Sequence, residues 1–270
     1  MSPLWRDEVA IYLAPRKLAL VRRSRGLRPR VVAATVVAVP GASAANVDPV
    51  LARLRDVLSE PTWQDAAARV VVADSWSRYG IVPWPAARLD AAGRLTHARY
   101  ALGDAYGETV ADWTVSLADT PPGRSFVACA IPATLQGALA DTLAAARLAL
   151  VSLQPQLVVA FNAWRHLLPP DRAWFVSLDD GSLSAVHLSD GAWDRVHMAR
   201  LSADWSVELE RLQAFGRLTR PDGASDRMLV AAAAWMRRSA PPCAGVEWLE
   251  GDASDGAEVQ ALALQRGVSG

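Results

Sequence analysis

The order of apolar runs constrains this chain more than any motif in it, because the same order is stated twice. Near the start, strand-length segments at 9–13, 18–21 and 31–39 are joined by a tight Ala14-Pro15-Arg16 turn and a basic loop from Arg22 to Arg30, and a helix follows. From residue 173 the order begins again: 173–178, a turn, 183–188, an Asp190-Gly191 turn, 192–199, and a second amphipathic helix. A three-stranded meander that hands over to a helix is common by itself. Stated twice, it restricts the chain to folds built from two like halves.

Between and after the meanders the elements alternate. The first helix is expected over 48–59, with Asp48 as N-cap, Pro49 at the first helical position, and Val50, Leu51, Leu54, Val57 and Leu58 at helical spacing. Val70-Val71-Val72-Ala73 reads as a central strand buried on both faces, and 78–82, stopped by Pro83, as another. Leu89, Leu95, Tyr100 and Leu102 predict a helical excursion over 86–106, with strands at 110–117 and 126–131. Pro132-Ala133-Thr134 opens a helix through Leu135, Leu139, Leu143 and Ala146, and a strand at 148–153 and a helix at 156–167 lead to the second meander. The second-half helix, capped by Ser202 or Asp204, carries Trp205, Leu209, Leu212 and Phe215; a strand at 228–231, a short helix and a strand at 246–249 complete it. The tail 251–270 is expected to be a flexible end with one weakly docked helix.

The two halves share no residue-by-residue identity, so the repeat is architectural. It predicts an α/β chain with a duplicated ribonuclease-H-like, two-lobed fold of the actin-like ATPase superfamily. The expected domains are a first lobe at 1–154 with an inserted subdomain at about 75–107, a second lobe at 155–250, and the tail.

Composition excludes several classes. With 270 residues, 51% of them apolar, the chain can bury a core without disulfide or metal support. Acidic and basic residues balance at 28 each, with no long run of one sign, so nucleic acid is not an expected partner. Cys129 and Cys243 form no CxxC pair and read as free thiols. The first residues lack the apolar stretch of a signal peptide, and no segment approaches eighteen uninterrupted apolar residues, so a cytoplasmic protein without membrane insertion is expected.

His97, His166, His187 and His197 show neither HExxH spacing nor a Cys partner pattern. If Asp190-Gly191 is a two-residue turn, His187 pairs with Asp194 and His197 with Ser184, which puts the two histidines on opposite faces and excludes a shared metal. No GxSxG, P-loop or GxGxxG occurs. The eleven tryptophans exceed what a core of this size usually needs, and two or three of them are expected to line a partner groove.

Three stretches resemble the PilM and GspL group, the actin-like cytoplasmic components of type IV pilus and type II secretion platforms. They are Val71-Val72-Ala73-Asp74-Ser75-Trp76-Ser77-Arg78-Tyr79-Gly80-Ile81-Val82-Pro83-Trp84-Pro85; Ala128-Cys129-Ala130-Ile131-Pro132-Ala133-Thr134-Leu135 with Leu153-Gln154-Pro155; and Phe175-Val176-Ser177-Leu178-Asp179-Asp180-Gly181-Ser182-Leu183. The resemblance implies a nucleotide site whose phosphates lie between two β-turns, with carboxylates placing magnesium. Here the first turn reads Ala14-Pro15-Arg16-Lys17, without carboxylate or glycine, and Pro15 removes an N–H. Asp179 and Gly181 remain at the second turn as a vestige of metal or phosphate geometry, although Asp180-Gly181 reads more simply as a turn dipeptide, and Lys17 could meet an anion. The adenosine loop runs Ala232-Ala233-Ala234-Trp235 in place of glycines.

Lys17, Asp179 and Gly181 are therefore the cofactor-binding residues only if a vestige of the site persists, and no cofactor and no catalysis are expected. The resemblance implies a scaffold, peripheral to the inner membrane, that binds a short cytosolic segment of a bitopic partner and can bind its own copies. It places that segment near Trp76, Tyr79 and Trp84. The alternative is an ATP-binding actin-like ATPase or filament former.

Overall fold

A computed structural model describes residues 6–24, 26, 30–41, 43, 45–169, 171–179, 181–201, 205–218, 226–232 and 245–249. β1 (Glu8–Ala14), β2 (Lys17–Ser24) and β3 (Arg30–Ala38) form the expected antiparallel meander. β1 and β2 are apolar on successive residues because both faces are covered: 9–14 and 18–21 are all buried. α1 (Asp48–Leu58) turns the five expected apolar residues inward. Asp48 is its first residue and not its cap. The Asp48 N–H donates to Asn46 Oδ1 at 3.0 Å, and the carboxylate sits in the first turn, where the helix dipole favours it. β4 (Ala67–Val72) then runs parallel to β1, from Glu8 opposite Ala67 to Leu13 opposite Val72.

β5 (Arg78–Val82), α2 (Ala91–Tyr106), β6 (Trp113–Leu117) and β7 (Phe126–Pro132) follow, the strands forming an antiparallel sheet in the order β5-β7-β6. α2 starts later than the periodicity suggests. Pro83 and Pro85 disfavour helix before them, and the start is set by Asp90, whose Oδ1 accepts the Gly93 N–H at 2.7 Å. β6 begins only at Trp113 because 107–110 is a 3₁₀ turn entered through Gly107 at φ +68°. This sheet draws on residues 78–132, well past the span of about 75–107 expected for the insertion. α3 (Ala133–Ala145), β8 (Ala149–Pro155), parallel to β4, and α4 (Gln156–Trp164) come next.

β9 (Arg172–Asp179), β10 (Ser182–Ser189) and β11 (Ala192–Arg200) make the second meander, followed by α5 (Ser206–Leu218), β12 (Arg227–Ala231) and β13 (Val246–Leu249). The expected caps Ser202 and Asp204, the short helix and the tail lie outside the described residues. Trp205, just before α5, and Leu209 and Leu212 within it join Trp174, Val176, Ala185 and Val230 in one apolar cluster. Each such side chain, fully buried, stabilises by about 1.5–3 kcal/mol before chain entropy is subtracted.

The duplication is written in the register. The two five-stranded sheets are ordered β3-β2-β1-β4-β8 and β11-β10-β9-β12-β13. The first hairpins close at Ala14 opposite Lys17 and at Asp179 opposite Ser182. Even the irregularities repeat: a bulge interrupts β2/β3 after Arg22 and β10/β11 after His187, each the sixth residue of its strand. Contacts divide the chain into two compact units, residues up to Ser75 with Leu135–His166, and Trp76–Thr134 with Leu167–Leu249. Among the described residues no helix is long and apolar enough to cross a membrane.

Candidate functional site

The first hairpin turn is built on β1 and β2 and holds no carboxylate. Equivalent register positions set Ala14 against Asp179 and Arg16 against Gly181. Below the turn, Tyr12 packs with Ala14, Ala19, Val71, Ala73 and Val159, and its hydroxyl donates to Gln156 Oε1 at 2.7 Å. Lys17 Nζ stands 5.5 Å from the Tyr12 ring centre, a cation–π placement. Asp74, buried just after β4, accepts the Leu157 N–H on Oδ1 at 3.0 Å and so takes up the N-terminus of α4. Sequence reading singled out Lys17 but passed over Asp74 and Gln156. Asp74 was detectable as a carboxylate closing the apolar 70–73 run; the Tyr12–Gln156 bond spans 144 positions and has no local signal.

At the second turn, Asp179 is buried and Gly181 holds φ +103°, a conformation that a side chain at this position would strain. Asp180 and the adenosine-loop residues Ala233, Ala234 and Trp235 lie outside the described residues. The strand expected to lead there is present, with Met228, Leu229 and Val230 fully buried.

The corner that closes β5 distributes its aromatics unequally. Trp76 and Tyr79 are 2% and 3% exposed, and the Tyr79 ring lies 6.4 Å from Trp193 while its carbonyl accepts the Tyr106 hydroxyl at 2.8 Å. Both belong to the interior. Trp84 is only half-buried; it meets Phe126 edge-on at 6.2 Å and lines an open pocket of about 410 Å³ with Pro85, Arg88, Leu89, Arg94 and Pro122.

A polar cluster inside the second meander escaped sequence reading. His187, 1% exposed, places Nδ1 3.0 Å from Asp194 and Nε2 3.0 Å from Asp226, while Arg172 reaches Asp226 with Nε at 3.1 Å and Nη2 at 3.3 Å. Burial pushes the Asp226 pKa up, but the bonds and charges of Arg172 and His187 outweigh it and hold the carboxyl below its ordinary value. The expectation that His187 and His197 face opposite ways is overturned. Asp194 is the extra residue of the bulge, so His187 pairs with Arg195 and His197 with Ala185, which brings both imidazoles to the same face. His197 is engaged there by Glu208 of α5 at 3.6 Å. Among the described residues no group of three or more His, Cys, Asp and Glu is placed to hold a metal ion.

No family model and no curated protein matches the sequence. Solved structures do match. The cytoplasmic domain of EpsL, an inner membrane component of the type II secretion system of Vibrio cholerae, is 14% identical with a TM-score of 0.61, over 98% of this chain and 95% of that one. The PilM–PilN type IV pilus biogenesis complex gives 15%, 0.66, and 97% and 98%. A Bacteroides thetaiotaomicron protein described as having an actin-like ATPase fold and unknown function gives 9%, 0.59, and 96% of each chain. With the doubled sheet order and register, these likenesses over nearly the full length give the conclusion: the chain has the actin-like fold, a duplicated ribonuclease-H-like α/β architecture.

Proposed function

We propose that this chain is a non-catalytic cytoplasmic scaffold of a bacterial type IV pilus-like or type II secretion-like assembly platform, holding a short cytosolic segment of an inner-membrane partner. The observation that carries the reading is the first hairpin turn. In a fold shared with EpsL and the PilM–PilN complex, residues 14–17 offer no carboxylate for magnesium, and Pro15 has no N–H to aim at a phosphate. The surrounding polar groups are engaged with one another, Tyr12 with Gln156 and Asp74 with the α4 N-terminus.

A second reading, an ATP-binding actin-like ATPase, is favoured by one feature, the buried Asp179 followed by Gly181 at positive φ. One experiment separates the two. The purified chain is titrated by calorimetry with a synthetic peptide carrying the cytosolic segment of a candidate bitopic inner-membrane protein from the same genome, and phosphate release from Mg-ATP is measured in parallel. The scaffold reading expects saturable binding and no release above background. Steady release that Asp179→Asn abolishes would overturn it in favour of the ATPase.

A further inference from the structure

We propose that the pocket beside Trp84 is where the partner segment is held, and that it selects a peptide carrying a carboxylate side chain next to a bulky apolar one. This rests on the partner-binding reading above, keeps the Trp84 corner that the resemblance implies, and adds to it a ligand chemistry. β5 ends at Val82, and Pro83 and Pro85 lack the N–H groups to continue a ladder, so the chain leaves the sheet with Trp84 against Phe126 and part of its ring open. The chain from Pro85 to Leu89, before α2 begins, forms the facing wall.

The lining holds two cations, Arg88 and Arg94, and no carboxylate. Asp90, the nearest acid in sequence, is turned to the N-terminus of α2, where it accepts from Gly93. The Arg94 guanidinium lies 5.8 Å from the Trp84 ring centre, and its buried Nε donates to no acceptor among the described residues. A donor buried without an acceptor costs free energy that an incoming carboxylate recovers, and a guanidinium already stacked on an indole loses little freedom in binding it. Trp84 and Leu89 supply apolar surface for the neighbouring side chain. Phosphate cradles converge several backbone N–H groups, whereas Pro85 and Pro122 remove them from this wall, which favours a carboxylate over a nucleotide. A volume of about 410 Å³ suits a pair of adjacent side chains.

The test uses the full chain and fluorescence anisotropy of a fluorescein-labelled synthetic peptide in which Glu and Phe neighbour each other, against the same peptide with Gln for Glu. The Glu peptide is expected to saturate and the Gln peptide to bind about tenfold more weakly. Arg94→Gln and the exposed Arg88→Gln should each weaken the Glu peptide several-fold, while Arg53→Gln, an equal loss of charge on α1, should leave it unchanged; melting curves check that each variant folds. Equal binding of the two peptides, or equal weakening by Arg53→Gln, overturns the proposal. The two readings also part company on the cytosolic segment of a candidate bitopic partner. If wild type and Arg94→Gln bind it equally, the pocket assignment falls and the scaffold stands; if neither binds it while the Glu peptide binds through Arg94, the scaffold reading falls and only the pocket's selection of a carboxylate stands.

Discussion

Asp226 is a buried carboxylate that Arg172 and His187 both engage, and its environment decides how the second meander responds to acid. Its side chain is fully buried, with Arg172 on both oxygens and His187 on one. Removing one partner of such a network leaves the others uncompensated, so Asp226→Asn should destabilise the chain by about 3 kcal/mol at neutral pH. Because the folded pKa is depressed, the contribution is fully present above the unfolded value of about 3.9 and is lost as pH falls through the lower folded value. Urea midpoints of wild type and variant should therefore differ at neutral pH and converge in strong acid; a gap that persists there contradicts the assignment. Gly216 in α5 reports on the same carboxylate. A Cβ at this position would lie 2.9 Å from Asp226 Oδ2, a group that cannot shift without losing its bonds. The helix-propensity gain of Gly→Ala, about 1 kcal/mol, is smaller than an overpacking cost of about 1–3 kcal/mol, so Gly216→Ala should lower the melting temperature. None of this network was legible in sequence, since Asp226 precedes a strand thirty-nine positions from His187 and a bulge decides which side chains meet.

Elements were more legible than their edges. Runs such as 70–73 and the spacing of Leu54, Val57 and Leu58 announce strand and helix because burial demands them. Boundaries depended on single local groups that periodicity does not carry: Asn46 before α1, Asp90 before α2, Gly107 before β6. β3 shows the opposite case, a strand predicted from its valines that the fold leaves open. Val31 and Val32, the latter the extra residue of the β2/β3 bulge, are 45% and 58% exposed on a strand at the edge of its sheet. Val32→Lys should change stability by no more than about 0.5 kcal/mol and suppress concentration-dependent light scattering. A large loss of stability would show that the Val32 side chain is covered in solution.

At the scale of the whole chain the fold could be read because duplication repeats an order of elements, which survives when no residue is shared between the halves. The nucleotide question could not be read to the same depth. It turns on individual groups at turns, and the two turns give different answers, Ala14 and Arg16 at one, Asp179 and Gly181 at the other. A ligand that binds only the folded state stabilises it by about 2.7 kcal/mol when present at a hundred times its dissociation constant, whatever the local geometry. Thermal melts of the full chain with and without excess Mg-ATP thus measure the balance of both turns at once. With the first turn lacking carboxylate, glycine and the Pro15 N–H, the melting temperature should stay where it is. If it rises, and Asp179→Asn removes the rise without changing the nucleotide-free melt, then the second turn suffices to hold a nucleotide and the chain is a nucleotide-responsive scaffold, not an inert one.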